Sequence, residues 1–298
     1  MESKIAASEK LTQLQELVAA NAELLARFAE AFNRFKTEDP RLALVSPEEA
    51  GFLFPDILPI INTIMTLTPE DLGIKRLETR DGNQIPHYTA IEQHYVGPDG
   101  KQRSPNIKYL PEHVHTAWQQ MNQAYQASLT EDGTTNRGLH IASGYRSPGY
   151  QALALTEAIN DRGLEIALLN TNLPYNSEHG DPLDTAVDFI CLGNENGQKA
   201  IHNRPVVFEL YREYDWLCQH AADFGFVLSL PPSLEQPESG RTDDGYEFEP
   251  WHWRYTGSPE AAHAFNEQHQ IAERVAARRR AVASSDYQTL LETAFDID

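Results

Sequence analysis

The stretch SEHGDPLDTAVDF places Ser177, His179, Asp181, Asp184 and Asp188 within thirteen residues, all side chains able to bind a metal or its solvent shell. Its end, Ala186 to Ile190, reads as a buried strand. An ionised carboxylate inside such a strand is costly unless it is compensated, and a salt bridge or a metal ion are the two arrangements that do so. Further along, GYEFEPWHWRY carries Glu249 and His252 three residues apart, among Tyr246, Phe248, Trp251, Trp253 and Tyr255. Taken alone, a histidine in such aromatic company reads as a packed core residue. Imidazole nevertheless suits zinc, and catalytic zinc sites commonly use three protein ligands and leave a fourth position for water. His179, Asp188 and His252 satisfy that count. The gap from Glu249 to His252 would let one segment present a ligand and, beside it, a carboxylate to act as general base during attack on a peptide carbonyl.

A third segment, SGYRSPGYQ from Ser143 to Gln151, ends a strand at Ser143-Gly144 and opens a helix after Pro148, with Arg146 in the turn. A guanidinium there can bind a substrate carboxylate or polarise a carbonyl oxygen through paired donors. Equally, an arginine in a turn can face solvent or tie loops together. His113 and His115 start a helix, but a spacing of two does not bring them together.

These groups need elements to hold them. Apolar residues at Leu11, Leu14, Val18, Leu25, Phe28, Phe32 and Phe35 alternate three and four apart, predicting one long amphipathic helix with Asn21 as the polar position in its stripe. That stripe would dock on the chain's own body or, through the helix, form a homodimer. Pro40 to Gly73 predicts short helices and loops around the apolar run Ile57 to Met65. Between Arg80 and Tyr109, β-formers and the turn pairs Asp81-Gly82 and Asp99-Gly100 predict one or two hairpins. From Pro111 the pattern alternates: a helix through Tyr125, a strand over Leu139 to Ser143, a helix through Ile159, and further elements to Tyr255. Ser258-Pro259-Glu260 reads as a capped helix start, predicting a long C-terminal helix broken near Ser284-Ser285.

Composition limits the function. With 298 residues, 41% hydrophobic and 23% charged, the chain matches a folded globular protein. Its formal charge of -20, from 44 acidic and 24 basic side chains, argues against nucleic acid as a partner. The basic cluster of Arg274, Arg278, Arg279 and Arg280 falls towards the end of a helix, where cations complement the dipole. Cys191 and Cys218 read as free buried thiols. No apolar run approaches the ~20 residues that cross a bilayer. Glu2, Glu9, Glu16 and Glu23 interrupt the region where a signal peptide would need an apolar stretch, so the expected location is cytoplasmic, or exported if a native signal was removed.

Together and in this order, SGYRSPGYQ, LPYNSEHG with AVDF, and FGFVLSL with GYEFEPWHWRY resemble the LAS metallopeptidases, and among them the D-alanyl-D-alanine carboxypeptidases of the VanY type. The resemblance covers roughly residues 110 to 256. It implies an α+β fold in which a small antiparallel sheet, flanked by helices, floors the cleft. One zinc ion would be held by His179, Asp188 and His252, with Glu249 as catalytic base. Arg146 would contact substrate and support the developing oxyanion, and Ser177 would lie near the substrate's C-terminal carboxylate. Gln151 and Trp251 are also expected to line the substrate. The implied substrate is a peptide ending in D-amino acids, such as a peptidoglycan stem peptide or its precursor. L,D-carboxypeptidase, cell-wall endopeptidase and non-catalytic zinc-module readings stay open.

Two departures from the family pattern stand out. Eight residues separate His179 from Asp188, two more than the motif normally has, and Asp184 stands where its glycine would fall. Asp184 or Asp181 is therefore a rival ligand. Ser229-Leu230 replaces an Arg-Tyr pair that relatives often carry. The expected organisation is an accessory region over 1–108, a zinc peptidase domain over 109–257 and a helical tail over 258–298.

Overall fold

The computed structural model describes residues 8–72, 77, 87–93, 106–130, 138–190, 208–209 and 211–283. In chain order its elements are α1 (Glu9–Ala20), α2 (Ala22–Glu38), α3 (Pro47–Leu53), α4 (Leu58–Thr66), β1 (Tyr88–Gln93), β2 (Asn106–Pro111), α5 (Glu112–Thr130) and β3 (His140–Ser143). Then follow α6 (Pro148–Arg162), α7 (Leu164–Asn170), β4 (Ala186–Ile190), α8 (Arg212–His220), β5 (Phe226–Leu228), β6 (His252–Tyr255), α9 (Pro259–Gln268) and α10 (Ile271–Val282). Short 3-10 turns link several of them, including Glu178–Gly180. They gather into two units, Met1–Ile85 with Tyr145–Pro182, and Pro86–Gly144 with Leu183–Asp298.

The first unit is helical. The stripe of α1 and α2 buries Leu11, Leu14, Leu25, Phe28 and Phe32 in one core with Ile60, Ile61 and Ile64 of α4 and Leu153, Leu155 and Ile159 of α6. The face that would carry a homodimer is thus taken up inside the unit, and dimerisation through it is not supported. The expected single helix is in fact two. At Asn21 the side-chain amide donates to Leu17 O at 2.8 Å while its backbone N–H turns to Val18 O. A short amide competing for backbone acceptors ends a helix in this way, and the apolar stripe continues in phase through the break.

The turn bearing Arg146 is seated on this helical core. Ser147 donates its N–H to Ala43 O at 2.9 Å and its hydroxyl to Val45 O at 2.5 Å, while its Oγ also caps α6 by accepting from Tyr150 N. Lys36 of α2 holds Glu157 of α6 with 2.7 Å contacts to both carboxylate oxygens. Gly149 makes this approach possible, because a Cβ there would lie 2.4 Å from Ser46 O. Gly149→Ala is therefore expected to cost about 1–3 kcal/mol through overpacking against backbone that cannot swing aside, read as a lowered midpoint in a urea titration.

The second unit is built on an antiparallel sheet of order β3-β4-β6-β5, so the expected α+β class is observed. Side chains alternate between its faces. Val187, Phe189, Phe226, Leu228 and Trp253 point into a core completed by Val114, Trp118, Met121, Tyr125 and Leu129 of α5. Trp118 Nε1 donates to Leu139 O at 3.0 Å, joining that helix to the start of β3. Asp188 and His252 belong to the opposite face. β1 and β2 form a separate antiparallel pair, while the turn pairs Asp81-Gly82 and Asp99-Gly100 lie outside the described residues.

Ser258 caps α9 through its side chain, with Pro259 in the first turn. The break in the C-terminal helix comes earlier than expected, at Gln270, whose φ of 53° is left-handed; Ser284-Ser285 lies outside the described residues. Cys218 is a free thiol, pushed up to about 12 by burial, and Cys191 is outside the described residues. No described helix is long and apolar enough to cross a membrane.

Candidate active site

Within the second unit, strand pairing decides which polar groups meet. Asp188 sits in the middle of β4 and is the direct cross-strand partner of His252 on β6. Directly opposed residues of an antiparallel pair hold their Cβ atoms about 4.5–5.5 Å apart, so both side chains rise side by side from the face opposite the core. Asp188 Oδ1 lies 2.9 Å from His252 Nδ1, and these residues are 9% and 1% exposed. Glu249 arrives on the same nitrogen by a different route. His252 N–H donates to Glu249 O at 3.0 Å, closing a turn whose three-residue span brings Glu249 Oε2 to 3.6 Å from His252 Nδ1. The Glu249 side chain remains 22% exposed, within reach of solvent. Two carboxylates beside one imidazole concentrate negative charge, which a divalent cation would neutralise.

Trp251 has another place. Its ring lies in the apolar core of this unit and its carbonyl accepts from Phe189 N at 2.9 Å, so packing alone accounts for it. The widened segment before Asp188 is tied down by His113, whose Nε2 lies 2.8 Å from Leu183 O. Sequence reasoning gave His113 no role, and its helix-start position carries no signal for one. Burial, and after it the charge of Asp184, raises the Tyr255 hydroxyl above its ordinary range, which places Asp184 near the end of β6 that Tyr255 occupies.

The first unit gathers the other expected residues. Arg146 N–H donates to His179 O at 2.9 Å, joining the turn before α6 to the 3-10 turn Glu178–Gly180. Ser177 precedes that turn, and its carbonyl accepts from Gly180 N at 2.9 Å. His179 is buried. Gln151, one turn into α6, donates Nε2 to Asn172 O at 2.8 Å. The Ser177 hydroxyl and Gln151 Oε1 are both buried, and neither has a hydrogen-bond partner among the described residues. Buried polar atoms of this kind are rare and mark unfilled bonding capacity.

This arrangement can be compared with known proteins. The family profile described as VanY: D-alanyl-D-alanine carboxypeptidase matches residues 107–258, just over half of the chain. The chain belongs to the VanY family of D-alanyl-D-alanine carboxypeptidases.

Among curated relatives of this VanY-family chain, the bifunctional D-Ala-D-Ala dipeptidase and D-Ala-D-Ala carboxypeptidase VanXYC of Enterococcus gallinarum is 25% identical over 162 residues. The match covers 53% of this chain and 77% of the relative. Solved structures similar to it include the LdcB LD-carboxypeptidase, at 24% identity and TM-score 0.42, over 57% of this chain and 69% of that one. Another is a mutant of the D,D-pentapeptidase VanY from a VanB-type resistance cassette in complex with Zn(II). It has 22% identity and TM-score 0.40, over 65% of this chain and 93% of that one. The VanY match begins within β2 and ends at Ser258, the cap of α9, so α9 and α10 lie beyond it.

Proposed function

We propose that this chain is a zinc-dependent carboxypeptidase that removes the terminal D-alanine from peptidoglycan-type peptides. The observation that carries this reading is the buried Asp188–His252 pair, fixed by strand register, with the partly exposed Glu249 side chain at the same imidazole nitrogen. Membership of the VanY family supports the peptide substrate.

His179, Asp188 and His252 would hold one zinc ion. Asp188 and His252 are buried cross-strand partners and His179 is buried as well, and two imidazoles with one carboxylate are a donor set that catalytic zinc uses. Asp188 is the favoured carboxylate because the sheet sets it opposite His252, whereas the charge of Asp184 is felt at Tyr255. When bound, zinc would acidify water and polarise the scissile carbonyl.

The protein's own groups would do the rest. Glu249 takes the proton from the attacking water and delivers it to the leaving amine, one carboxylate serving as base and then acid. Arg146 supplies a forked cation for a carboxylate or for oxyanion charge. Ser177 and Gln151 offer their unfilled polar atoms to the substrate's terminal groups.

The test is to incubate zinc-loaded protein with a muramyl pentapeptide, the matching tetrapeptide and free D-Ala-D-Ala, and to measure released D-alanine. Release from the pentapeptide is expected. Release from the tetrapeptide alone would replace this reading by an L,D-carboxypeptidase. No cleavage of any substrate by protein holding one zinc would replace it by a binding module.

A further inference from the structure

Glu249 sits at the end of a long irregular excursion, and what holds that excursion in place lies outside the VanY-matched residues. Between β5 and β6 the chain folds back on itself through hydrogen bonds of its own. Ser233 N–H donates to Arg241 O at 2.7 Å, Thr242 N–H to Tyr246 O at 2.9 Å and Phe248 N–H to Gly240 O at 3.0 Å. Arg241 and Glu247 form an isolated bridge. Glu249 N–H reaches Leu230 O only at 3.4 Å. These bonds join parts of the excursion to one another, so contacts from a neighbouring element add a separate brace.

α10 provides that brace through two arginines one helical turn apart, and residues four apart share a helix face. Arg274 Nη1 donates to Pro232 O at 3.2 Å and meets Asp243 Oδ2 at 2.5 Å. Asp243 in turn accepts from the Ser233 hydroxyl and from Leu234 N. Arg278 Nη1 donates to Pro237 O at 2.8 Å. Its Nε and Nη2 grip the Glu209 carboxylate at 3.2 and 3.0 Å. The centre of its guanidinium stands 5.5 Å from the centroid of Phe248, which is fully buried and directly precedes Glu249. Arg278 is itself 2% exposed. The next residue along, Arg279, faces solvent and pairs with Asp215 instead. The kink at Gln270, where Arg274 Nε donates to His269 O at 2.8 Å, sets the start of this helix.

We propose that α10 clamps the loop that carries Glu249, with Arg278 as the positioning residue. It acts through Phe248 and Pro237 rather than by touching substrate. The inference rests on the reading of Glu249 as the base. A planar fork held on one side by a carboxylate and on the other by a carbonyl and an aromatic face has no equivalent in a lysine, which keeps the charge but loses the geometry. Misplacing a catalytic group by about 1 Å can cost about 100-fold in rate.

The test compares the 298-residue chain, zinc-loaded, as wild type, Arg278→Lys and Arg279→Ala. Three readouts are used: zinc content, kcat and KM on the pentapeptide, and amide hydrogen exchange in the peptide spanning residues 230–250. For Arg278→Lys the expected result is one bound zinc, KM within about twofold, kcat lowered about 10- to 100-fold, and faster exchange in that peptide. Arg279→Ala is expected to match wild type in all three. A zinc-bound Arg278→Lys with wild-type kcat or wild-type loop exchange overturns the clamp, as does an equal loss in Arg279→Ala. Glu249→Gln run alongside separates the two readings. If it keeps full activity while Arg278→Lys still loosens the loop, the assignment of the base has failed and the clamp has not.

Discussion

Glu249→Gln is expected to lower kcat for D-alanine release by about 10²- to 10⁴-fold, the range that a positioned general acid–base contributes, while one zinc stays bound and KM changes little. The substitution keeps the shape of the side chain and removes its basicity. The structure gives reasons to expect this separation of effects. Glu249 is held by a turn hydrogen bond from His252 N–H to its own backbone carbonyl, so the position of its backbone does not depend on the charge of its carboxylate. Its side chain is the most open of the three groups that meet on the β4–β6 face, beside a nearly closed His252. Steady-state kinetics with metal analysis on the same sample decides the matter. Wild-type kcat in the variant would remove Glu249 from the chemistry, and loss of zinc together with activity would make it a ligand.

The second large effect concerns the proposed ligand next to the widened segment. Asp188→Ala is expected to abolish zinc retention and activity, whereas Asp184→Ala keeps one zinc. A ligand binding only the native state stabilises it by about 4 kcal/mol when free metal stands 1,000-fold above Kd. The rise in thermal midpoint that zinc gives the wild type should therefore vanish in Asp188→Ala and persist in Asp184→Ala. The physical ground is strand register. Asp188 cannot leave the position opposite His252 without breaking the β4–β6 ladder, while Asp184 precedes the strand. The reverse pattern of zinc retention would move ligation to Asp184.

Local sequence patterns made much of this legible. The AVDF run announced a buried strand with a carboxylate in it, and the Glu249 to His252 gap announced a carboxylate beside an imidazole on one segment; both are present, the second through a turn. The start of α6 was readable from Ser147 and Pro148, and that of α9 from Ser258 and Pro259, because capping is a property of adjacent residues. Where the signal was absent, the cause was non-local or a competition between local effects. Asn21 fits the heptad-like stripe and ends a helix all the same, since hydrogen bonding by a short amide leaves no mark on hydrophobic periodicity. The left-handed Gln270 follows no glycine rule. Arg278 looked like one more cation near a helix C-terminus. Its burial against Glu209 and Phe248 joins residues tens of positions apart, which no window of sequence displays.

The pairing of Asp188 with His252 also bears on the order of events in assembly. These residues are 64 positions apart, and their donor atoms converge only when β4 and β6 have already annealed. In short zinc-binding peptides whose ligands are neighbours in sequence, metal capture and folding are one event. Here His179 and Asp188 are close in sequence, but His252 joins them only through long-range strand pairing, which is a slow step of folding. With the ligands proposed above, acquisition of tight zinc binding during refolding would serve as a clock for completion of the central sheet.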